Sequence, residues 1–545
     1  MAAVIGGRME AVVRQRSLNG ADYARIAVLV AASLAVHLWL VAHTAVTARD
    51  SLGFARYALC IQSPQSAEPE HNEKRLAVEV IRKAQQAPGY PVCVWIAAKF
   101  VRNATTDMPH SESTLLAAQL VSTIAAALLV VPVYLIGRML FGRFAGFSAA
   151  LLFQVLPTPA RITSDGLTEG VYLLWVAVAV LLGMRAVRKP GVGPFLLCGF
   201  AVGASYLVRL EGMMVAGAVG LVAAWMGLTR RWPRDVTLGY LTALAVGVAL
   251  VAVPYMMLIG TFTIKPAPTQ ILNPNDAGRD PLKDRMGTSL APVAGGPLFA
   301  AFWNDSAKGE ARAEVVAAGM VAKEWGKSAF YAPLALAAFG LIALRKRVSA
   351  RPEAWVLVVL AGVNVAVVMT LGTKVGYVSE RHTLLLVLLT CVFAGASLEP
   401  LALCLSRIPK IGRIWAGKLA PAGLLLALVA AALPSTLKPL HPQREGHKHA
   451  GKWLKEHATN EDCVIDPFSW ADWYAERTLY HIPPDPPDAK VLYTVLDSKT
   501  RPEEHTRLPR MALARDVAAS GTVVYWWPEN VPPEQASVKV YKTTR

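Results

Sequence analysis

Long apolar runs alternate with short polar segments over residues 1–434 of the chain. The runs are about 14 to 23 residues long, and a helix of about 20 apolar residues spans the hydrocarbon core of a bilayer. This pattern predicts an all-α polytopic membrane protein with about 11 transmembrane helices. The predicted spans are residues 26–46, 114–137, 144–157, 171–184, 194–208, 213–228, 238–259, 329–344, 354–371, 383–398 and 419–433.

The charge distribution decides between two explanations of a net charge of +17. Basic residues gather in cytoplasmic loops of membrane proteins, whereas a nucleic-acid-binding protein carries them in one patch. Here they occupy every second loop, which places the N-terminus inside the cell and excludes a nucleic-acid partner. The loops carry Arg138 and Arg143, Arg185 and Arg188, Arg230 and Arg231, Arg345 and Arg347, and Arg407 and Arg413.

Two long outer loops and a polar tail complete the predicted organisation. The loops are residues 47–113 and 260–327, inside a transmembrane domain of residues 1–434. The first apolar run begins late and is long enough to span, so we expect it to be retained as a span, not cleaved as a leader. Residues 435–545 predict a small soluble α/β domain outside the membrane. Its predicted elements are helices at 446–457, 470–477 and 509–518, and strands at 463–466, 490–496 and 522–527.

The six cysteines lack the spacing of a metal site. Cys60 and Cys93 fall in the first outer loop, where an oxidising compartment permits a disulfide. The sequence is compatible with a disulfide between Cys60 and Cys93 and equally with two free thiols.

Charged residues that stand out from the topology all fall on the outer side. A transporter would spread such residues near the midplane of the bilayer, so their gathering favours an enzyme that works at the outer leaflet. They lie in four motifs: RDSLGF at 49–54, SDGLTE at 164–169, YLVRLEG at 206–212 and SERH at 379–382. A further motif on the same side, PGYP at 88–91, is uncharged.

In this order, and all on one side, the motifs resemble those of the C-type glycosyltransferases. This membrane-embedded family includes the protein O-mannosyltransferases and the bacterial aminoarabinose transferase. The likeness covers residues 24–398. Two features depart from relatives: Ser51 follows Asp50 where many O-mannosyltransferases have a second acid, and the Trp-Trp-Asp signature of oligosaccharyltransferases is absent.

The resemblance implies transfer of a sugar from a polyprenyl phosphate to a hydroxyl, with inversion, at the outer face of the cytoplasmic membrane. Such a reaction needs a base for the acceptor hydroxyl and positive charge for the leaving phosphate. Asp50 is the candidate base, and an interfacial pair with Arg49 is the alternative. Asp165 is the second catalytic candidate, and a helix N-cap by Ser164 or Asp165 is its alternative. If a divalent metal takes part, Asp50 and Asp165 would bind Mg²⁺ or Mn²⁺ through oxygen.

Arg381, Lys265 and Lys374 are the candidate ligands of the donor phosphate, because guanidinium and ammonium groups bind phosphate. Interfacial cations that snorkel are the competing interpretation for each. Five further residues receive structural or substrate-orienting roles. They are Tyr90 in the proline-rich turn, the pair Arg209 and Glu211, Glu169 as a partner of Arg161, and His382 as a helix cap.

Two other functions fit the membrane topology. A transporter or flippase of lipid-linked sugars predicts internal repeats and polar residues at the midplane. A non-catalytic assembly protein would use the tail for docking and would tolerate loss of Asp50. The acceptor itself, whether a glycolipid, a wall polymer or a protein, stays open.

Overall fold

Helices form at each predicted span in the computed structural model, which describes residues 18–63, 76–263, 310–408, 417, 419–480, 489–498 and 510–544. The helices of the membrane part are α1 Gly20–Ala42, α2 Arg49–Gln62, α3 Ala77–Lys83, α4 Gly89–Ala104, α5 His110–Phe141, α6 Arg143–Val155, α7 Pro157–Thr163, α8 Glu169–Arg188, α9 Val192–Tyr206, α10 Met213–Leu228, α11 Arg234–Ile259, α12 Glu310–Ser328, α13 Ala332–Ala343, α14 Arg345–Ser349, α15 Pro352–Val375, α16 Leu384–Leu405 and α17 Ala420–Thr436.

Among the described residues, seven helices are long and apolar enough to cross a membrane. An eighth candidate is the pair α12 and α13, which meet at a bend of 103°. Three shorter apolar helices, α6, α9 and α17, occupy further predicted spans. Seven or eight long candidates and three short ones fit the expected polytopic architecture at the level of fold class.

The helices differ in how much of their surface the protein covers. The apolar stretches of α5, α8 and α16 are 67%, 72% and 83% buried, whereas that of α1 is only 28% buried. In a membrane protein, exposed apolar faces are the ones that contact lipid. Helices α5, α8 and α16 therefore form the centre of the bundle.

Close helix contacts inside the bundle depend on small residues, as is common in membranes. An added Cβ at Gly199 of α9 would lie 2.2 Å from the carbonyl oxygen of Leu244 in α11. The reciprocal position, Gly247 of α11, would meet the carbonyl oxygen of Leu196 at the same distance. Larger side chains at this pair of glycines would force α9 and α11 apart.

The two ends of the bundle differ in chemistry. At the start of α1, Asp22 accepts hydrogen bonds from Tyr134 at 2.6 Å and Arg143 at 2.9 Å, next to the basic loop after α5. At the end of α1, Gln119 near the start of α5 donates to Thr44 over 2.9 Å. The motifs of the sequence analysis lie at this second end.

The tail folds as a four-stranded sheet with helices on both faces. Strands β1 Cys463–Ile465, β2 Val491–Asp497, β3 Thr522–Trp527 and β4 Val538–Thr544 are ordered β1-β2-β4-β3. Strands β1 and β2 are parallel, with Cys463 opposite Leu492, and the other pairs are antiparallel. The α-helices in the described part of the tail are α18 Glu445–His457, α19 Trp470–Tyr474 and α20 Met511–Ala519.

The sequence predicted the described α-helices of the tail and every strand except β4; the short 3₁₀ helices Pro442–Arg444 and Pro533–Gln535 were also not predicted. Strand β4 pairs with both β2 and β3 and so completes the sheet. Apolar residues of both faces form its core, for example Leu454 of α18 against Val538, and Ala514 of α20 against Leu492. Cys60 and Cys93 are both free, and the Cys60 thiol donates to the carbonyl oxygen of Tyr480.

Candidate active site

Asp50 and Arg381 form an ion pair between Nη1 of the arginine and Oδ2 of the carboxylate. Asp50 lies in the first turn of α2, and Arg381 lies in the 3₁₀ turn Glu380–Thr383 that leads into α16. The two residues were the leading candidates for base and phosphate ligand, and the fold joins them across 331 positions of sequence. The alternative partner of Asp50, its neighbour Arg49, is not the residue that pairs with it here.

Glu169 lies at the centre of the charged site. Its Oε1 atom accepts Nε of Arg381 and Nη1 of Arg209, each over 2.6 Å, and its side chain is 1% exposed. The expected pairing of Glu169 with Arg161 is therefore wrong. Arg161 points toward the tail instead and donates to the carbonyl oxygens of Lys438 and Pro439.

Arg209 joins the network to Glu211, as the sequence predicted. Its Nη2 atom lies 3.0 Å from Oε1 of Glu211, and its guanidinium lies 5.5 Å from the ring centre of Tyr172. Each of the three guanidinium nitrogens of Arg209 bonds to Glu211 or Glu169, so we assign this arginine a structural role. Arg381 differs, since its Nη2 atom has no partner among the described residues.

Asp165 is held by donors from two distant segments. Its Oδ1 atom accepts the backbone N–H of Ala48 over 2.8 Å, and its Oδ2 atom lies 2.7 Å from Nε2 of His441. Its carbonyl oxygen accepts the Ser51 hydroxyl over 2.6 Å. The alternative role as N-cap of α8 is wrong, because Thr168 occupies the N-cap and no side chain bonds there.

The turn that carries Asp165 is fixed by its neighbours on α5. Gln119 donates to the carbonyl oxygen of Ser164 over 3.1 Å, and Ser122 donates to that of Leu167 over 2.7 Å. Between them Gly166 adopts a φ of +66°, a left-handed conformation that glycine reaches without a Cβ penalty. Asp165 is thus held in place beside the first turn of α2.

Tyr90 is a packing residue of the same region. Its side chain is fully buried. Its hydroxyl donates to the carbonyl oxygen of Ala118 over 2.9 Å and lies 3.0 Å from the side-chain hydroxyl of Ser122. Next to it, the N–H of Gly89 donates to the carbonyl oxygen of Leu207 over 2.7 Å. The proline-rich turn therefore packs α4 against α5 and against the segment that leads to Arg209.

The remaining candidates fall into three groups. His382 acts as a cap, since its Nδ1 atom lies 3.1 Å from the backbone N of Ser379 in a capping box. Lys374 is exposed near the end of α15, and its phosphate role stays a prediction. Lys265 lies outside the described residues.

The tail contacts the charged site directly. Trp470 donates from its indole N–H to the carbonyl oxygen of Thr47 over 2.9 Å, and Arg56 donates to that of Thr478 over 2.7 Å. Arg49 is half-buried between the two parts. Burial lowers its pKa, and the charges of Asp466 in the tail and of Asp50 oppose this shift.

Comparison with known proteins gives a match to a family model over part of the chain. Residues 91–257 match the model of the dolichyl-phosphate-mannose-protein mannosyltransferases. The matched segment includes Asp165, Glu169 and Arg209, whereas Asp50 and Arg381 lie outside it. No curated protein sequence matches the chain.

Solved structures resemble the whole chain. One of them is the archaeal oligosaccharyltransferase AglB from Archaeoglobus fulgidus, in complex with an inhibitory peptide and a dolichol-phosphate. It is 13% identical to this chain with a TM-score of 0.56, and the match covers 95% of this chain and 74% of the AglB chain. ArnT from Cupriavidus metallidurans in the apo state is 14% identical with a TM-score of 0.50, over 96% and 98%. These structures share the fold of this chain, and with the family match they confirm the resemblance predicted from the motifs.

The site does not fit a metal ion as its residues stand. Another structure of the Archaeoglobus fulgidus enzyme, 17% identical with a TM-score of 0.50 over 86% of this chain and 58% of its own, is a complex with Zn and sulfate. Here both carboxylate oxygens of Asp165 have protein donors, and Asp50 is paired with Arg381. The described segments contain no group of three or more His, Cys, Asp or Glu side chains placed to hold a metal ion.

Proposed function

We propose that this chain, a membrane glycosyltransferase of the C type that uses lipid-linked sugars, moves a sugar from a polyprenyl phosphate to a hydroxyl acceptor at the outer face of the cytoplasmic membrane. The observation that carries the proposal is the ion pair between Asp50 and Arg381. It brings a carboxylate with an exposed side chain and a guanidinium into one place at one end of the helix bundle. The dolichol-phosphate complex of AglB supports a lipid phosphate as donor.

Arg381 is suited to bind the donor phosphate. Glu169 holds its Nε atom in a buried bond, so the guanidinium is oriented before the substrate arrives. Phosphate pairs well with guanidinium because two parallel N–H groups meet two oxygens. The phosphate would take the Nη2 atom and compete with Asp50 for Nη1. As the bond to the sugar breaks, the charge that develops on the phosphate is stabilised by this arginine.

Donor binding then releases Asp50 for its role as base. Inverting displacement requires the base and the leaving group on opposite sides of the anomeric carbon. The sugar must therefore enter between Asp50 and Arg381 and open their ion pair. Asp50 takes the proton of the acceptor hydroxyl, the hydroxyl oxygen bonds to the anomeric carbon, and the phosphate leaves with the electrons of the broken bond. The side chain of Asp50 is 60% exposed, which leaves room for the acceptor.

The distribution of charge supports the proposed outer orientation. The basic loops adjoin the end of the bundle that carries Asp22, Arg138 and Arg143, and the candidate site lies at the opposite end. With the basic loops inside, the site and residues 435–545 face outward. Asp165, Lys265 and Lys374 keep their proposed roles beside the acceptor and the phosphate.

Substitution of Asp50 by Asn tests the proposal. In purified, detergent-solubilised protein, transfer from a panel of polyprenyl-phosphate sugars to membrane lipids and peptides should fall at least about 100-fold, the usual contribution of a general base. Donor binding should stay equal or become tighter, because Arg381 loses a competitor. Asp107→Asn, an exposed acid in the loop after α4, is the matched control. Full transfer by the Asp50 variant would remove it as the base.

A further inference from the structure

The segment that joins the membrane part to the tail is fixed to the candidate site. Arg161 donates to the carbonyl oxygens of Lys438 and Pro439 over 2.6 and 3.1 Å. Leu440 forms a parallel bridge with Thr44, in which its N–H and carbonyl group bond to the backbone of His43 and Ala45. These bonds place the next residue, His441, near the end of α1.

His441 has an unusual backbone conformation at this point. Its φ of 49° and ψ of 41° are left-handed, which is uncommon for a residue other than glycine. Such conformations persist when the surrounding contacts determine them, and they gather at functional sites. The backbone bonds of Leu440 and the bonds from Arg161 are the contacts that determine this one.

The imidazole of His441 forms a hydrogen bond with Asp165 in which the donor can be assigned. Its Nε2 atom lies 2.7 Å from Oδ2 of the carboxylate, whose side chain is 7% exposed. An ionised carboxylate only accepts hydrogen bonds, so Nε2 carries the proton. Because Oδ1 accepts the N–H of Ala48, both oxygens of Asp165 have donors from the protein.

We propose that His441 takes the place of a divalent cation at Asp165, so that this chain holds its acidic site together without a bound metal. His441 is a positioning residue that acts through Asp165. The carboxylate of Asp165 accepts the backbone N–H of Ala48, and the backbone carbonyl oxygen of Asp165 accepts the Ser51 hydroxyl. Asp165 therefore fixes the chain on both sides of Asp50. A metal ion on Oδ2 of Asp165 would have to replace the Nε2 proton of His441 or displace its imidazole. The inference concerns the site of the proposed function and rests on it for its effect on transfer.

Metal binding is the first test, and it does not depend on activity. Mn²⁺ is titrated into the full-length protein in detergent, and free Mn²⁺ is followed by electron paramagnetic resonance. Wild type and Asp165→Asn should give the same curve, without a stoichiometric site. A one-to-one site in wild type that disappears in the Asp165 variant would overturn the proposal.

Transfer gives the second test. Wild-type transfer should change less than twofold between EDTA and added Mn²⁺. His441→Ala should lose at least tenfold, whereas His441→Gln, whose amide N–H reaches toward the same carboxylate, should keep transfer within about threefold. His457→Ala, an exposed tail histidine bonded to the carbonyl oxygen of Trp453, is the control.

Three results would overturn the assignment: full transfer by His441→Ala, equal losses in the Ala and Gln variants, or loss in EDTA that Mn²⁺ restores. If wild type consumes no donor under any condition, the proposed function fails. In that case the Mn²⁺ titration alone decides whether His441 replaces a metal at Asp165.

Discussion

The Nε atom of Arg381 lies 2.6 Å from Oε1 of Glu169. The same oxygen accepts Nη1 of Arg209, so one buried carboxylate joins the starts of α8, α10 and α16. Glu169 therefore fixes the arginine that we assign to the donor phosphate, although it does not itself reach the substrate. This arrangement makes Glu169 important for both folding and transfer.

Glu169→Gln should destabilise the protein strongly. Removing one partner of a buried ion pair typically costs about 3–5 kcal/mol, because the remaining charge is left buried and uncompensated. Here two guanidinium groups would remain around a neutral amide. Thermal unfolding in detergent should therefore show a clear drop in Tm. Glu211→Gln is the matched control, since Glu211 also pairs with Arg209 but its side chain is 32% exposed. Equal Tm values for both variants would contradict the central role of Glu169.

Arg381→Lys should weaken donor binding and keep the fold. A lysine carries the charge but presents a single nitrogen, which cannot serve Glu169, Asp50 and a phosphate together. We expect KM for the donor to rise at least about tenfold, since roughly 1.4 kcal/mol of lost binding is a factor of ten. Arg230→Lys, at an exposed arginine in the loop after α10, is the control. A change in kcat alone, with KM unaltered, would argue against a role in binding.

The sequence predicted local features of the site well. The pair Arg209 and Glu211 and the cap formed by His382 involve residues two or three positions apart. Short spacing limits the possible partners, so a motif is enough to predict such contacts. The same reasoning explains why the helices and most strands of the tail were predicted near their observed positions.

Partners that are distant in sequence could not be predicted. Glu169 has two arginines 40 and 212 positions away, and Arg161 was only the closest cation along the chain. His441 was missed because it lies in a short polar linker and Asp165 is 276 positions away. Its pairing depends on a bridge between Thr44 and Leu440 that arises only when the tail packs on α1. A lone histidine at the start of a soluble tail carries no motif that would reveal this contact.

Asp472 in the tail should make stability depend on pH. Burial, and secondly the charge of Asp466, raise the pKa of Asp472 from 3.8 to about 8. The folded state then keeps a proton that the unfolded chain releases above about pH 4. Stability must therefore fall as pH rises from about 4 to about 8, by at most about 1.4 kcal/mol per pH unit for one group.

Asp472→Asn isolates this effect. The asparagine does not titrate, so the difference in Tm between variant and wild type should grow in favour of the variant from pH 5 to pH 8. Other titrating groups affect both proteins equally and cancel in the difference. Parallel Tm curves over this range would mean that Asp472 is ionised in the folded protein.

Gly166→Ala should reduce transfer more than it reduces stability. The left-handed φ of +66° costs a residue with a Cβ about 1–2 kcal/mol. An added Cβ would also lie 3.3 Å from Cβ of Ala118 and 3.4 Å from the hydroxyl oxygen of Ser51, so the turn or Ala118 must give by a few tenths of an ångström in addition to the backbone strain. The turn carries Asp165, whose bonds to Ala48 and His441 depend on its position. A displacement of 1 Å at a site can cost about 100-fold in rate.

The control for this change is Gly217→Ala in α10, where an added Cβ meets no atom within 4 Å. Alanine is favoured over glycine inside a helix by about 1 kcal/mol, so this variant should be at least as stable as wild type and fully active. Transfer and Tm are measured side by side for both variants. If Gly166→Ala keeps full transfer, the position of Asp165 is not critical to the reaction. If instead its transfer and Tm fall in proportion, the glycine serves only the fold.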